Sequence, residues 1–97
     1  MDRDHILATL RSHAADLTRL GAMRLFLFGS ASRNEAGPSS DVDLFFDFDD
    51  PRFSLVELVA LQDRIGGLLD RPVDVMSRGS IHPKLRTSIE GSAIQVF

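Results

Sequence analysis

The sequence predicts a small α+β domain, a mixed β-sheet with helices packed on it. Apolar residues recur at helical spacing in three separated stretches. Short runs of strand character, one of them cleanly alternating, lie between those stretches. The chain has 97 residues, enough for one core, so one domain over 1–97 is expected.

Ile6, Leu7, Leu10, Ala14 and Leu17 share a helical face, which predicts a helix from about Asp2 to Leu20. Asp2 and Asp4 suit its start and Gly21 its stop. Met23 to Phe28 is apolar on both faces and reads as a buried central strand. Gly29 to Ser40 is small, polar and turn-rich, a loop with room for one helical turn. Asp41 to Asp49 alternates: Val42, Leu44, Phe46 and Phe48 share one face, and Asp41, Asp43, Phe45, Asp47 and Asp49 the other. Asp50-Pro51 ends that strand.

Ser54 and Glu57 form a capping box ahead of a helix carrying Leu55, Leu58, Val59, Leu61, Ile65, Leu68 and Leu69. Gly66-Gly67 is expected to weaken its last turn or end it early. Core packing accounts for this helix more economically than a partner interface does. Val73 to Met76 is a short strand with Asp74 opposite two valines. Pro83 to Glu90 reads as a helix stopped by Gly91, and Ala93 to Phe97 as a terminal edge strand. The order is α-β-β-α-β-α-β.

Composition narrows the function. Net charge is −3 and the pI near 5.4, so the basic footprint of a nucleic-acid binder is missing and no direct nucleic-acid binding is expected. Without cysteine there are no disulfides, zinc–thiolate sites or thiol nucleophiles. All seven aromatics are Phe, which makes base-stacking platforms a poor expectation. No apolar run approaches the ~20 residues of a membrane span. The acidic N-terminus lacks a signal-peptide pattern. A cytoplasmic location is expected.

One constellation carries chemistry. Gly29-Ser30 follows the first strand, and ten residues later come Asp41 and Asp43, two apart on a strand and so on one face. Asp74 sits on a third strand; if that strand pairs beside the second, three carboxylates converge. Like charges on one sheet face repel, and they persist most readily when a cation neutralises them. Oxygen ligands with no His or Cys nearby point to Mg²⁺ or Mn²⁺. Two such ions can activate an attacking oxygen and clamp a leaving phosphate. Gly29 permits close backbone approach to a phosphate, Ser30 adds a hydroxyl donor, and Arg33 offers a charge-assisted contact. Gly-Ser with two Asp at this fixed spacing arises by chance in roughly one chain per thousand of this length.

The segment LFLFGSASRNEAGPSSDVDLFFDF resembles the signature of the polymerase-β-type nucleotidyltransferase superfamily: Gly-Ser, ten residues, Asp-x-Asp. The short length, SLVELVALQDRIGGLLDRPVDVMS and HPKLRTSIEGSAIQVF resemble its minimal nucleotidyltransferase (MNT) branch, and the resemblance covers nearly the whole chain. It implies the nucleotidyltransferase fold. It implies two Mg²⁺ held by Asp41, Asp43 and Asp74, and a nucleotide triphosphate, ATP as AMP donor, held by Gly29 and Ser30. It further implies the antitoxin half of a toxin–antitoxin pair, acting on a HEPN-domain ribonuclease toxin by adenylylating a tyrosine hydroxyl. The chain has no Tyr, so such an acceptor belongs to another protein. The common form of the motif runs Gly-Ser-Arg-Ala-Arg-Gly. Ala31 stands here in place of an arginine and Asn34 in place of a glycine, and Asn is the non-glycine residue that best accepts positive φ.

Other residues read as ordinary surface. His5 and His13 lie off the apolar stripe, and His82 is a turn residue before Pro83. Arg78, Lys84 and Arg86 read as a solvated helix start, Asp47 as a rim residue, and Asp49 and Asp50 as strand-end solvation. Phe45 packs or supports a nucleotide. Two rival functions stand beside adenylylation. One is neutralisation of a partner by binding alone; the other is small-molecule nucleotidylation with a partner subunit supplying the acceptor surface.

Overall fold

The computed structural model describes residues 2–35 and 41–97, so the last part of the Gly29–Ser40 loop lies outside the described residues. Helices α1 (Arg3–Ser12) and α2 (Ala14–Arg19) lead into strand β1 (Arg24–Phe28) and a single helical turn, α3 (Gly29–Ser32). Strand β2 (Val42–Asp47), helix α4 (Leu55–Leu69) and strand β3 (Val73–Ser77) follow. A 3₁₀ turn (Arg78–Ser80), helix α5 (Pro83–Ser92) and strand β4 (Ile94–Gln95) complete the chain.

The strands form one sheet in the order β3-β2-β1-β4. β1 runs antiparallel to both β2 and β4, and β2 and β3 are parallel. A parallel pair needs a long crossover, and α4 supplies it. The mixed sheet expected from sequence is the observed one. On its back face Leu25, Leu27, Val42, Leu44, Phe46 and Val75 are buried against α1, α2 and α4. On its front face Phe28 and Phe45 form a smaller cluster with Ile81, with Phe26, Met76, Ile89 and Ala93 packed around it. Packing on both faces is why β1 is apolar from Leu25 to Phe28.

Strand β2 covers less than the expected Asp41–Asp49, leaving Asp41, Phe48 and Asp49 outside it, and three helix boundaries also differ from expectation. The helix expected over Asp2–Leu20 is broken at His13 (φ −112°, ψ 19°). In a continuous helix the Thr9 carbonyl would accept from the His13 backbone N–H. It is instead engaged by the Ser12 hydroxyl at 2.7 Å and His13 Nδ1 at 2.9 Å, and the His13 N–H turns to the Leu10 carbonyl at 3.1 Å. Side chains that bond back to the main chain compete with the helix in this way. Apolar spacing does not register the break, because Leu10 and Leu17 still face one core.

Second, α4 runs through Gly66-Gly67 to Leu69 and ends at Asp70, which adopts left-handed φ 52°. Buried Leu61, Ile65 and Leu69 hold it past the glycines; tertiary packing outweighs a propensity cost of about 1 kcal/mol per glycine. A Cβ at Gly67 would meet nothing within 4 Å. Gly67→Ala is therefore expected to stabilise the protein by about 0.5–1 kcal/mol in urea unfolding. Third, α5 passes through Gly91 to Ser92. The terminal strand is assigned only over Ile94–Gln95, but its hydrogen bonds continue. Val96 N–H donates to Leu25 O at 2.7 Å and Leu25 N–H to Phe97 O at 3.2 Å.

The α4 capping box forms as expected. The Ser54 N–H donates to the Glu57 carboxylate at 2.9 Å, and the Ser54 hydroxyl bonds the same carboxylate. Phe53 and Leu58 stand at the positions of a hydrophobic staple, and both pack against the main core. Gly21 (φ 117°) stops α2 as expected, and Phe53 lies where its Cβ would be.

Candidate active site

Strand register builds the site. Phe28 at the end of β1 faces Asp43 on β2, and Asp43 faces Asp74 on β3. Gly29 follows Phe28 at φ 73°, and a Cβ there would lie 2.5 Å from Asp43 Oδ2. The Gly-Ser turn is therefore seated directly against the Asp43 carboxylate. Only glycine allows both that approach and that backbone conformation at no steric cost. Asp41 is exposed just ahead of β2, Asp43 is half-buried and Asp74 is exposed.

Burial pushes the Asp43 carboxyl above the usual carboxylate range, and the charges of Asp74 and then Asp41 push it further. Of the three carboxylates expected to converge, Asp43 feels the charge of both others. They form an open row: among the described residues no three acidic or histidine side chains make a metal cage. The donor chemistry fits a hard divalent cation, since every candidate ligand is a carboxylate oxygen and the central one is destabilised by its like-charged neighbours.

α3 holds the rest of the motif. The Ser30 carbonyl accepts from the Glu35 N–H at 2.9 Å and the Arg33 N–H at 3.2 Å, and the Ser32 hydroxyl donates to the Gly29 carbonyl at 2.7 Å. Ala31 is buried in the main core. Asn34 adopts φ 59°, the conformation expected of it, and its Oδ1 accepts from the Arg3 N–H at 3.1 Å. Arg33 is not gathered with the carboxylates; it pairs with Glu35 at 3.1 Å on the surface.

Arg78 overturns its reading as part of a solvated helix start. Its guanidinium donates to both Asp47 oxygens at 2.7 and 3.0 Å and pairs with Glu90 at 3.3 Å. It also lies over the Phe26 and Phe45 rings, 4.8 and 5.0 Å from their centroids. Asp47 is correspondingly a counter-ion and no rim residue. Its hydrogen bond is the main cause that raises the Arg78 pKa above the ordinary arginine value. The sequence carried a signal for this. Asp47 lies four residues after Asp43 and Arg78 four after Asp74, so a parallel register with Asp43 beside Asp74 places the pair together. Arg78→Met leaves a largely buried Asp47 carboxylate without this bidentate partner. A loss of about 1–3 kcal/mol is expected in chemical denaturation, with Arg78→Lys recovering only part of it.

Phe45 is a packing residue: it is 1% exposed, stacked on Phe26 at 4.7 Å and set against Phe28 at 5.7 Å. His82 caps α5, its Nδ1 accepting from the Lys84 N–H at 3.1 Å. Lys84 is exposed, and Arg86 reaches the Ile81 carbonyl at 3.4 Å. His5 and Asp49 are exposed, and Asp50 pairs with Arg52.

Comparison with known proteins bears on family and fold. A nucleotidyltransferase domain model matches residues 10–96. A candidate protein adenylyltransferase of Methanocaldococcus jannaschii is 38% identical over 84% of this chain and 86% of its own. The protein adenylyltransferase MntA of Thermococcus cleftensis is 29% identical over 96% of this chain and 94% of its own. A solved structure described as a candidate minimal nucleotidyltransferase superposes with TM-score 0.85 at 34% identity, covering 97% of this chain and 95% of that one. An MNT antitoxin in complex with a tri-AMPylated HEPN toxin of Shewanella oneidensis superposes with TM-score 0.66 at 19% identity, over 94% of this chain and 71% of that one. The last is a likeness of fold.

Proposed function

This chain belongs to the nucleotidyltransferase domain family, and we propose that it is a magnesium-dependent protein adenylyltransferase. In this reading it is the antitoxin of a toxin–antitoxin pair, one domain over 1–97, acting in the cytoplasm. It transfers AMP from ATP to a tyrosine hydroxyl of a HEPN-domain toxin. The observation that carries the reading is the row Gly29–Asp43–Asp74, in which the Gly-Ser turn abuts one carboxylate and a second stands beside it in register.

Asp41, Asp43 and Asp74 would hold two Mg²⁺. When bound, the ions supply charge neutralisation at the phosphates and a lowered pKa for the acceptor hydroxyl. The Gly29 backbone and the Ser30 hydroxyl hold the β,γ-phosphates, and Arg33 exchanges Glu35 for a phosphate oxygen. Asp74, the most accessible strand carboxylate of the row, takes the acceptor proton. The hydroxyl oxygen attacks the α-phosphorus and pyrophosphate leaves. Catalysis is positioning and electrostatics, with no covalent intermediate on the chain. The given sequence has no tyrosine, which supports an acceptor on another protein. Among the described residues no helix is long and apolar enough to cross a membrane.

The test incubates the purified protein with α-labelled ATP, Mg²⁺ and the HEPN-domain protein encoded beside it. Mg²⁺-dependent label on a partner tyrosine is the expected result. Neutralisation of the partner without label would replace transfer by binding alone. Mg²⁺ at millimolar concentration is also expected to raise Tm by about 2–5 °C, with no rise in the Asp41→Asn/Asp43→Asn double variant.

A further inference from the structure

Among the described residues, four of the six large apolar side chains that stand exposed lie on or beside the start of α4, Leu85 and Met23 being the other two. Leu55, Val56 and Val59, in the first turns of α4, are 72%, 76% and 51% exposed, and Phe48 just before them is 41% exposed. Spacings of three and four residues put the α4 side chains on one stripe. Phe48 stacks on Phe53 at 4.7 Å, and Phe53 precedes the helix cap, so the two rings border the same patch. A helix built only to cover a sheet turns its apolar stripe inward. α4 does so with Leu61, Ile65 and Leu69 and carries a second apolar stripe outward. Such a patch marks an interaction surface.

The surroundings indicate what covers it. An open cleft of about 310 Å³ beside the patch is lined by Phe53, Asp50, Arg52, Glu57 and Arg19. Asp50 and Arg52 neutralise each other. Among the described residues Asp49, Glu57 and Asp63 form no ion pair around the patch, against Arg19 alone of opposite sign. The rim is therefore net acidic. A second copy docked by two-fold symmetry would set that rim against itself. A partner with an apolar centre and a basic rim is complementary, and a lysine or arginine from it fits the cleft.

The patch is remote from the chemistry. Asp43 lies near the start of β2, whereas Phe48 and α4 follow its other end, roughly 17 Å along at 3.3 Å per residue. α4 also packs on the back of the sheet, behind the face that carries Asp43.

We propose that this corner is a docking site for the protein that carries the acceptor hydroxyl, recognising an apolar surface with a basic rim, apart from the carboxylate row. The proposal rests on the protein adenylyltransferase reading. Its consequence is that holding the partner and modifying it are separable by mutation.

The experiment titrates the purified HEPN-domain partner into the full chain and measures affinity, transfer and oligomeric state. Asp is favourable in the first turn of a helix, so Val56→Asp keeps the fold; Leu55→Ser is the milder companion. Both are expected to weaken partner binding, Val56→Asp at least tenfold. They raise KM for the partner and leave both kcat and the Tm rise with Mg²⁺ unchanged. Asp63→Lys weakens binding less and flattens its salt dependence. Asp41→Asn/Asp43→Asn binds the partner like the wild type. Wild-type affinity and KM in Val56→Asp and Leu55→Ser would overturn the proposal. So would a wild-type dimer that Val56→Asp dissolves with partner affinity intact, or a wild type that does not bind the partner. A wild type that binds through this corner but leaves no label overturns only the adenylyltransferase reading.

Discussion

Asp43→Asn is expected to lower AMP transfer by at least about 10³-fold and, without added metal, to raise thermal stability. Both effects have one source. Asp43 is held half-buried between Asp41 and Asp74, so its ionised form is disfavoured in the fold. A carboxyl whose pKa is raised on folding binds its proton more tightly in the native state. Stability therefore falls as pH climbs from the ordinary carboxylate range through the raised value, and is regained on acidification across that window. Asn keeps the shape and removes the charge, so the variant is expected to lose this pH dependence. Initial rates with labelled ATP and melting curves between pH 4 and about 8 measure the two effects. Full activity in Asp43→Asn would remove Asp43 from the mechanism. A melting temperature below that of the wild type at neutral pH would show that repulsion in the row is not costly.

The second large effect belongs to Gly29→Val. A side chain at φ 73° costs about 1–2 kcal/mol, more for a β-branched residue. Its Cβ would also stand 2.5 Å from Asp43 Oδ2, so the carboxylate must move. The end of a short side chain gives way without unfolding the protein, but it gives way at the reacting centre. A displacement of about 1 Å there costs on the order of 10²-fold in rate. The expected result is a transfer rate reduced at least about 10²-fold with a stability loss of only about 2–3 kcal/mol. Gly29→Ala follows the same direction with a smaller loss. A Gly29→Val protein with wild-type kcat would show that contact between the Gly-Ser turn and Asp43 is incidental.

The candidate site was largely legible because its information is local. Two carboxylates at i and i+2 share a strand face in any fold, and a glycine before a small polar loop is a turn in any fold. The same holds for the Ser54–Glu57 box and for Asn34 at positive φ, each of which needs only its near neighbours. What the sequence hid is relational. Arg78 looks like one of several surface cations until the parallel register puts it opposite Asp47 and over two Phe rings. Thr9 looks like any helical residue until two side chains compete for its carbonyl.

By itself the sequence determined the α+β class, the order of its four strands and main helices, and which residues are candidates for chemistry. Periodicity, turn chemistry and charge spacing are properties of adjacent residues, set by backbone geometry alone. The tertiary structure decided three other things. It seated Gly29 against Asp43 and placed Asp74 beside it, which required strand pairing. It carried α4 past two glycines, which required buried leucines to outweigh propensity. It also turned Leu55, Val56 and Val59 outward. A hydrophobic residue shows its affinity for an apolar surface in the sequence, but only the packed fold shows whether its own core has already used it.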